Sequence, residues 1–423
     1  MAEENDKLGF QGTWSMAVGG MVGGGIFSTL GVVITIAGSW AWLSFVVAGV
    51  IAFLAGYSYI NLAKHYGEGG GAFTFLRKIH AEGFAGSLSW VLIVGYVLTE
   101  AVYASTFGQY LGHITGLGIW FPRAAAVAIL ALFVILNLQG VGEASGVEIF
   151  LVWFKLMVLV GLAAYGLSKW DTGMLSQGIE ESGVAAALFG AASVFMAYEG
   201  FQLLTYDYDD IRNPDRLLPR AVLSAIIVVI IVYVIVALGI PMIIGADKVV
   251  ENEEVALSIA GREVAGTLGV IIVTIAAAFS TGSAINSTLF ATARLMRIVA
   301  DDGELPAIAS HQNENDIPDY AVIGLGVTAA VLAVIGSLSL LVEAASLAFL
   351  FTFSVVCALA FQQRAGNRVL TAAGAIAGLL AAVALIIRLV QNAPLALGFL
   401  VLVALIAMFG RPWILKRFAA EAG

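Results

Sequence analysis

The sequence predicts an all-α polytopic membrane protein with twelve transmembrane helices, ten of them in a five-plus-five inverted repeat and two more at the C-terminal end. Three observations predict it. The 423 residues are 60% hydrophobic and 12% charged, with a mean hydropathy of +0.97, whereas soluble domains carry about 25% charged residues. Twelve apolar runs approach the ~20 residues needed to cross a bilayer. The first and the sixth of these runs are interrupted by residues that a lipid-facing helix does not tolerate, and they stand five segments apart.

The runs lie near 14–37, 40–65, 84–113, 122–140, 145–168, 184–206, 219–245, 263–298, 319–337, 340–362, 369–390 and 393–411. The third and eighth are long enough to tilt or to project beyond the bilayer. Residues 14–168 and 184–362 form the two repeats, and 369–411 holds the extra pair. The connections near 246–262 and 300–318 are too short for a core of their own, so residues 1–423 read as one transmembrane domain. Orientation follows from Lys and Arg in the loops. With the N-terminus inside, fourteen basic residues lie inside, against Arg123, Lys169, Lys248, Arg262 and Arg388 outside, with Lys155 within the membrane. Both termini are expected in the cytoplasm, and the cell membrane is the expected location. Residues 411–418 read either as a basic-aromatic tail on the inner surface or as a simple stop-transfer flank. Residues 1–11 lack the basic region of a cleaved signal, so the first apolar run is expected to stay in the protein.

The net charge of −9 comes from acids grouped in tails and loops, and no basic stripe fits a nucleic acid. The single cysteine, Cys357, sits in an apolar run and reads as a small packing residue. The four histidines lack ligand spacing, so no metal site is expected. No nucleophile with a base and no nucleotide-binding motif stands out, so neither an enzyme nor a primary pump is expected, and no cofactor is called for. The glycine run 69–71 lacks the Lys-Ser/Thr of a phosphate loop. Nothing points to a particular oligomeric state.

The first interruption, Gly19 to Phe27, reads Gly-Gly-Met-Val-Gly-Gly-Gly-Ile-Phe. Glycine is a poor helix former, and within lipid the backbone leaves the helix only where it is buried in protein or lines a polar cavity. The second, Phe195-Met-Ala-Tyr-Glu-Gly-Phe-Gln202, carries Glu199 at membrane depth, at a cost of about 3 kcal/mol or more. Paired broken helices mark the substrate site of inverted-repeat transporters. Freed N–H groups at one half-helix end favour a carboxylate. Freed carbonyls favour an ammonium, so a zwitterionic amino acid matches both. Gly19 and Gly20 read equally well as close helix packing.

These residues carry a family resemblance. Gly23-Gly-Gly-Ile-Phe27 resembles the first-helix element of the amino acid–polyamine–organocation (APC) superfamily permeases. Residues 195–202 resemble their sixth helix, followed here by Asp210-Ile-Arg-Asn-Pro214 and Leu218-Pro-Arg220. Ser280-Thr-Gly-Ser-Ala-Ile-Asn-Ser-Thr288 and Asp301-Asp-Gly-Glu-Leu-Pro306 are similar to the eighth helix and the turn after it, and Asn137-Leu-Gln-Gly140 to the fourth-to-fifth region. The matches cover segments one to eight in order. The resemblance implies the leucine-transporter-type fold and amino acid transport. It implies Gly23, Gly24 and Gly25 for the substrate carboxylate, Met21 or Val22 with Phe195 and Tyr198 around its amino group, and Phe201 as a wall or lid.

Lys155 lies about ten residues into the fifth segment, where a charge must be paired, neutral or in a wet cavity. A lysine withdrawn from water gives up its proton more readily. In some APC permeases a lysine at the similar place stands where others bind sodium, so the resemblance favours protons as the coupling ion. Lys155 is the expected coupling site, close to Gly23 and to Ser280, Thr281 or Ser283. The plain alternative is a permanently charged lysine capping carbonyls of the first break. Glu100, mid-way along the third segment, reads as a counter-charge for a cationic substrate, a proton-relay partner, or an acid hydrogen-bonded among helices, and Glu199 has the same options. A proton symporter, an amino acid exchanger and a cationic amino acid or polyamine transporter therefore all fit the sequence.

Overall fold

The computed structural model describes residues 7–140, 145–411, 413 and 415. The expected N-terminal tail up to residue 6, the 141–144 connection and most of the 411–418 tail lie outside the described residues.

The first apolar run forms two half-helices, α1 (Phe10–Val22) and α2 (Gly25–Ala37), parted at Gly23-Gly24. After a short turn come α3 (Ala41–Tyr66), a short helix α4 (Ala72–Lys78), α5 (Glu82–Thr115), α6 (Phe121–Leu138) and α7 (Ser145–Ser168). The sixth run is helical only over α8 (Ala186–Ser193); then it turns through 3-10 segments, Phe195–Tyr198 and Phe201–Thr205. Next are α9 (Pro214–Ile244), the short α10 (Ala246–Glu251), α11 (Ala256–Asp301), α12 (Asp319–Ile335), α13 (Leu338–Gln362), α14 (Arg368–Asn392) and α15 (Pro394–Leu405). Proline opens α9 and α15 near their first position, where its missing N–H costs nothing. Among the described residues, eight helical spans are long and apolar enough to cross a membrane, with two shorter apolar helices at 319–335 and 394–410. The molecule is a multi-pass membrane protein.

The helix of the eighth run is kinked at its start. Ala265 and Gly266 leave helical geometry, Gly266 at φ +59. Residues 256–264 fold back on the start of the long helix, with Gly261 and Gly269 in backbone contact. A side chain at either glycine would hold the two pieces apart.

The centre is built from α1, α3, α5, α7, α9, α11 and α13. Helix α1 packs on α7, α9 and the 201–205 turn, and α5 lies between α11 and α13. Cys357 is buried against α3, its Sγ 3.9 Å from the Leu54 carbonyl oxygen. The glycine run 69–71 meets the end of the second break: Gly70 N–H donates to Thr205 O at 2.8 Å and Gly69 faces Tyr206 O.

Candidate substrate and coupling site

The two breaks meet backbone to backbone. Gly200 has φ +122, a conformation that suits glycine alone. A Cβ there would lie 2.6 Å from the Gly20 carbonyl carbon and 2.9 Å from Met21 N. Gly20 is therefore part of the crossing, and Gly19 packs on Glu148 and Val152 of α7.

Around the first break, each glycine faces a different element. Gly23 faces Ala284 of α11, Gly24 the Tyr103 ring of α5, and Gly25 the Tyr233 hydroxyl of α9 and the Ala197 carbonyl. The freed carbonyls have partners. Ser280 Oγ donates to Val22 O at 2.6 Å. The Tyr233 hydroxyl lies 2.7 Å from Met21 O and 2.9 Å from Ala197 O, one donor between an acceptor from each break. Lys155 Nζ donates to Gly19 O at 3.1 Å and is fully buried; the carbonyl it meets belongs to the turn ahead of Gly23. Beside it, Ser283 Oγ donates to Glu148 Oε2 at 2.7 Å.

The second break is organised by a carboxylate. Glu199 Oε1 accepts from Gln202 Nε2 at 2.8 Å, and Oε2 from the Tyr103 hydroxyl at 3.3 Å. Gln202 also takes the Gly200 N–H at 3.0 Å and lies 3.2 Å from the Tyr96 hydroxyl. Tyr96, Glu100 and Tyr103 share one face of α5 by helical spacing. Glu100 is 1% exposed, and among the described residues neither carboxylate oxygen has a hydrogen-bond partner. Tyr198 donates to Phe45 O at 2.7 Å. Phe195 and Phe201 pack on Phe353, and Phe201 also on Tyr59.

A cavity of about 410 Å³ runs from the loops at Gly69, Asp209 and Asp210 up to Gly20 and Gly200, along Glu148, Asn286 and Arg294. Burial pushes the Asp207 carboxyl on its wall above the usual range, and Arg294 at 3.4 Å opposes that shift. The cavity is large enough for a small amino acid, yet Gly23 to Gly25, Phe195, Tyr198 and Phe201 do not line it. Phe201 sits in an aromatic cluster behind the break.

The structure thus gathers Met21, Val22, Gly23, Gly24, Gly25, Tyr103, Glu199 and Ser280 about the crossing, with Lys155 and Ser283 one turn away. Thr281 stands apart: its hydroxyl donates to Ala277 O in its own helix at 2.8 Å. Sequence reasoning missed Tyr233 and Glu148. Nothing marks Tyr233 within a stretch of α9 that is apolar all round. Glu148, seven residues before Lys155 and so on the same helical face, was readable from spacing.

The comparisons with known proteins decide the family. A sequence profile described as amino acid permease matches residues 8–414. The chain belongs to the amino acid permease family. The permease is 33% identical to the uncharacterized protein MJ0609 of Methanocaldococcus jannaschii, over 72% of this chain and 71% of the relative. It is 30% identical to the inner membrane transport protein YbaT of Escherichia coli, with the same coverage. It is 27% identical to cationic amino acid transporter 7, chloroplastic, of Arabidopsis thaliana, over 81% of this chain and 62% of the relative. Membership makes the APC resemblance of the motifs a finding and supports a transport role for the permease.

Proposed function

We propose that this permease is a secondary active transporter that moves amino acids across the cell membrane by alternating access, as a proton symporter. In this reading the twelve segments form the five-plus-five repeat with two added helices, and both termini are cytoplasmic. Gly23, Gly24 and Gly25 take the substrate carboxylate. Met21, Val22, Phe195 and Tyr198 surround its amino group, Phe201 walls its side chain, and Lys155 carries the proton. One observation carries the coupling role: the buried Lys155 ammonium holds the Gly19 carbonyl. Loss of its proton weakens that hydrogen bond, so protonation and the geometry of the first break are linked.

The test uses the purified protein in liposomes with a mixture of radiolabelled L-amino acids. Accumulation into empty vesicles, driven by an inward proton gradient and abolished by a protonophore, is the expected result. Uptake that requires amino acid inside the vesicles, and ignores the gradient, identifies an exchanger instead.

One observation favours a second reading, a carrier of cationic amino acids or polyamines. Glu100 is buried with both oxygens unpartnered, and a substrate cation supplies the missing partner. Competition of labelled leucine uptake by arginine, glutamate and putrescine separates the readings; failure of both arginine and putrescine sinks the cationic one.

A further inference from the structure

We propose that Glu148 is the proton relay between Lys155 and the cytoplasmic cavity, an inference that rests on the coupling role of Lys155. Three observations lead there. Glu148 and Lys155 stand seven residues apart on α7, on one face and about 10 Å apart along the axis. Long helical side chains lean toward the N-terminus, so Lys155 reaches back toward Glu148. Both side chains meet the same residue of the first half-helix: Lys155 Nζ bonds Gly19 O at 3.1 Å, and the Glu148 Oε1 atom packs on Gly19 where a Cβ would stand. Finally, Glu148 lines the cavity although it is only 6% exposed. It is at once the wall of the open space and the neighbour of the lysine's partner.

The chemistry is a two-step hand-over. The Lys155 ammonium loses one proton and becomes an amine; the Glu148 carboxylate gains it, directly or through one water, and becomes a carboxylic acid. The acid then releases the proton to the cavity and returns to carboxylate. Glu148 sits in the first turn of α7, and Ser283 Oγ donates to Oε2 at 2.7 Å. Oε1 is left toward Gly19.

Few other charges face this carboxyl among the described residues. Helix α1 carries no titratable group. Helix α11 presents Arg294 to the cavity, with Asp207, Asp209 and Asp210 farther along its wall. On α9 the charged residues Asp215, Arg216 and Arg220 stand in the first two turns and do not line the cavity.

The experiment measures two rates for the full chain in liposomes, with a mixture of radiolabelled L-amino acids as probe. One is accumulation driven by a proton gradient; the other is exchange at equal pH. Glu148→Gln is expected to slow gradient-driven accumulation at least tenfold more than exchange, and to remove its dependence on the pH inside the vesicle. Glu148→Asp, which keeps a carboxyl, is expected to recover a measurable part of the gradient-driven rate. If Glu148→Gln keeps that rate within twofold of the parent while Lys155→Ala abolishes it, the relay is wrong and the lysine reading stands. If Lys155→Ala also keeps it, the coupling reading falls, and the relay with it. Equal loss of both rates in Glu148→Gln and Glu148→Asp assigns Glu148 a structural role and overturns the proposal.

Discussion

The two helix breaks solve the same problem with opposite chemistry. At the first, Gly19 to Gly25, the freed backbone acceptors are met by donors from other helices: Lys155 on Gly19 O, Tyr233 on Met21 O and Ser280 on Val22 O. At the second, Phe195 to Gln202, the polar groups are mainly side chains, and they run to excess acceptors. Glu199 takes hydrogen bonds from Gln202 and Tyr103, while Glu100 on the neighbouring α5 takes none. The difference teaches that a break can be held by its surroundings or can demand something of them. The first has donors from three other helices in place, one of them the Lys155 ammonium. The second, among the described residues, leaves both Glu100 oxygens without a hydrogen-bond partner.

Mutations at the crossing sharpen that contrast. The largest effect belongs to Gly200→Ala. Its methyl meets Gly20 and Met21 backbone, at φ +122. Strain and overpacking each cost about 1–3 kcal/mol, so a large drop in the unfolding midpoint and loss of uptake are expected; parent-like stability would show that the breaks do not touch. Tyr233→Phe comes next. It removes the hydroxyl between Met21 O and Ala197 O and leaves a buried carbonyl unpaired, at about 1–3 kcal/mol by thermal unfolding. Ser280→Ala frees only Val22 O and should cost about 1 kcal/mol in the same assay. Glu100→Gln is the smallest and differs in sign. Removing an acid that has no partner should leave stability unchanged or raise it by up to about 1 kcal/mol. A loss of more than that gives Glu100 a hidden structural partner and breaks the contrast.

Much of the site was legible in the sequence. Glycine density gave the first break, because few other residue types leave a membrane helix so readily. Glu199-Gly200 gave the second, though not its length, since residues 201–205 are mostly apolar yet turn as 3-10. Lys155 was visible as an isolated charge. The kink at Ala265-Gly266 was hidden, because Gly266, between Ala265 and Thr267, resembles an ordinary packing glycine. Tyr233 was hidden too: its role lies in a hydroxyl reaching two other segments, which no local pattern records. The position of Gly20 at the crossing, and not merely near it, also required the second break to be placed.

The central claim is that Lys155 couples protons to the first break. It is tested most directly by gradient-driven accumulation of radiolabelled L-amino acids in liposomes, comparing the parent protein with Lys155→Ala. The account predicts that the variant takes up amino acid no further than equilibrium, with or without the pH gradient. Full gradient-driven accumulation by Lys155→Ala would contradict it and leave the lysine as a cap on the Gly19 carbonyl.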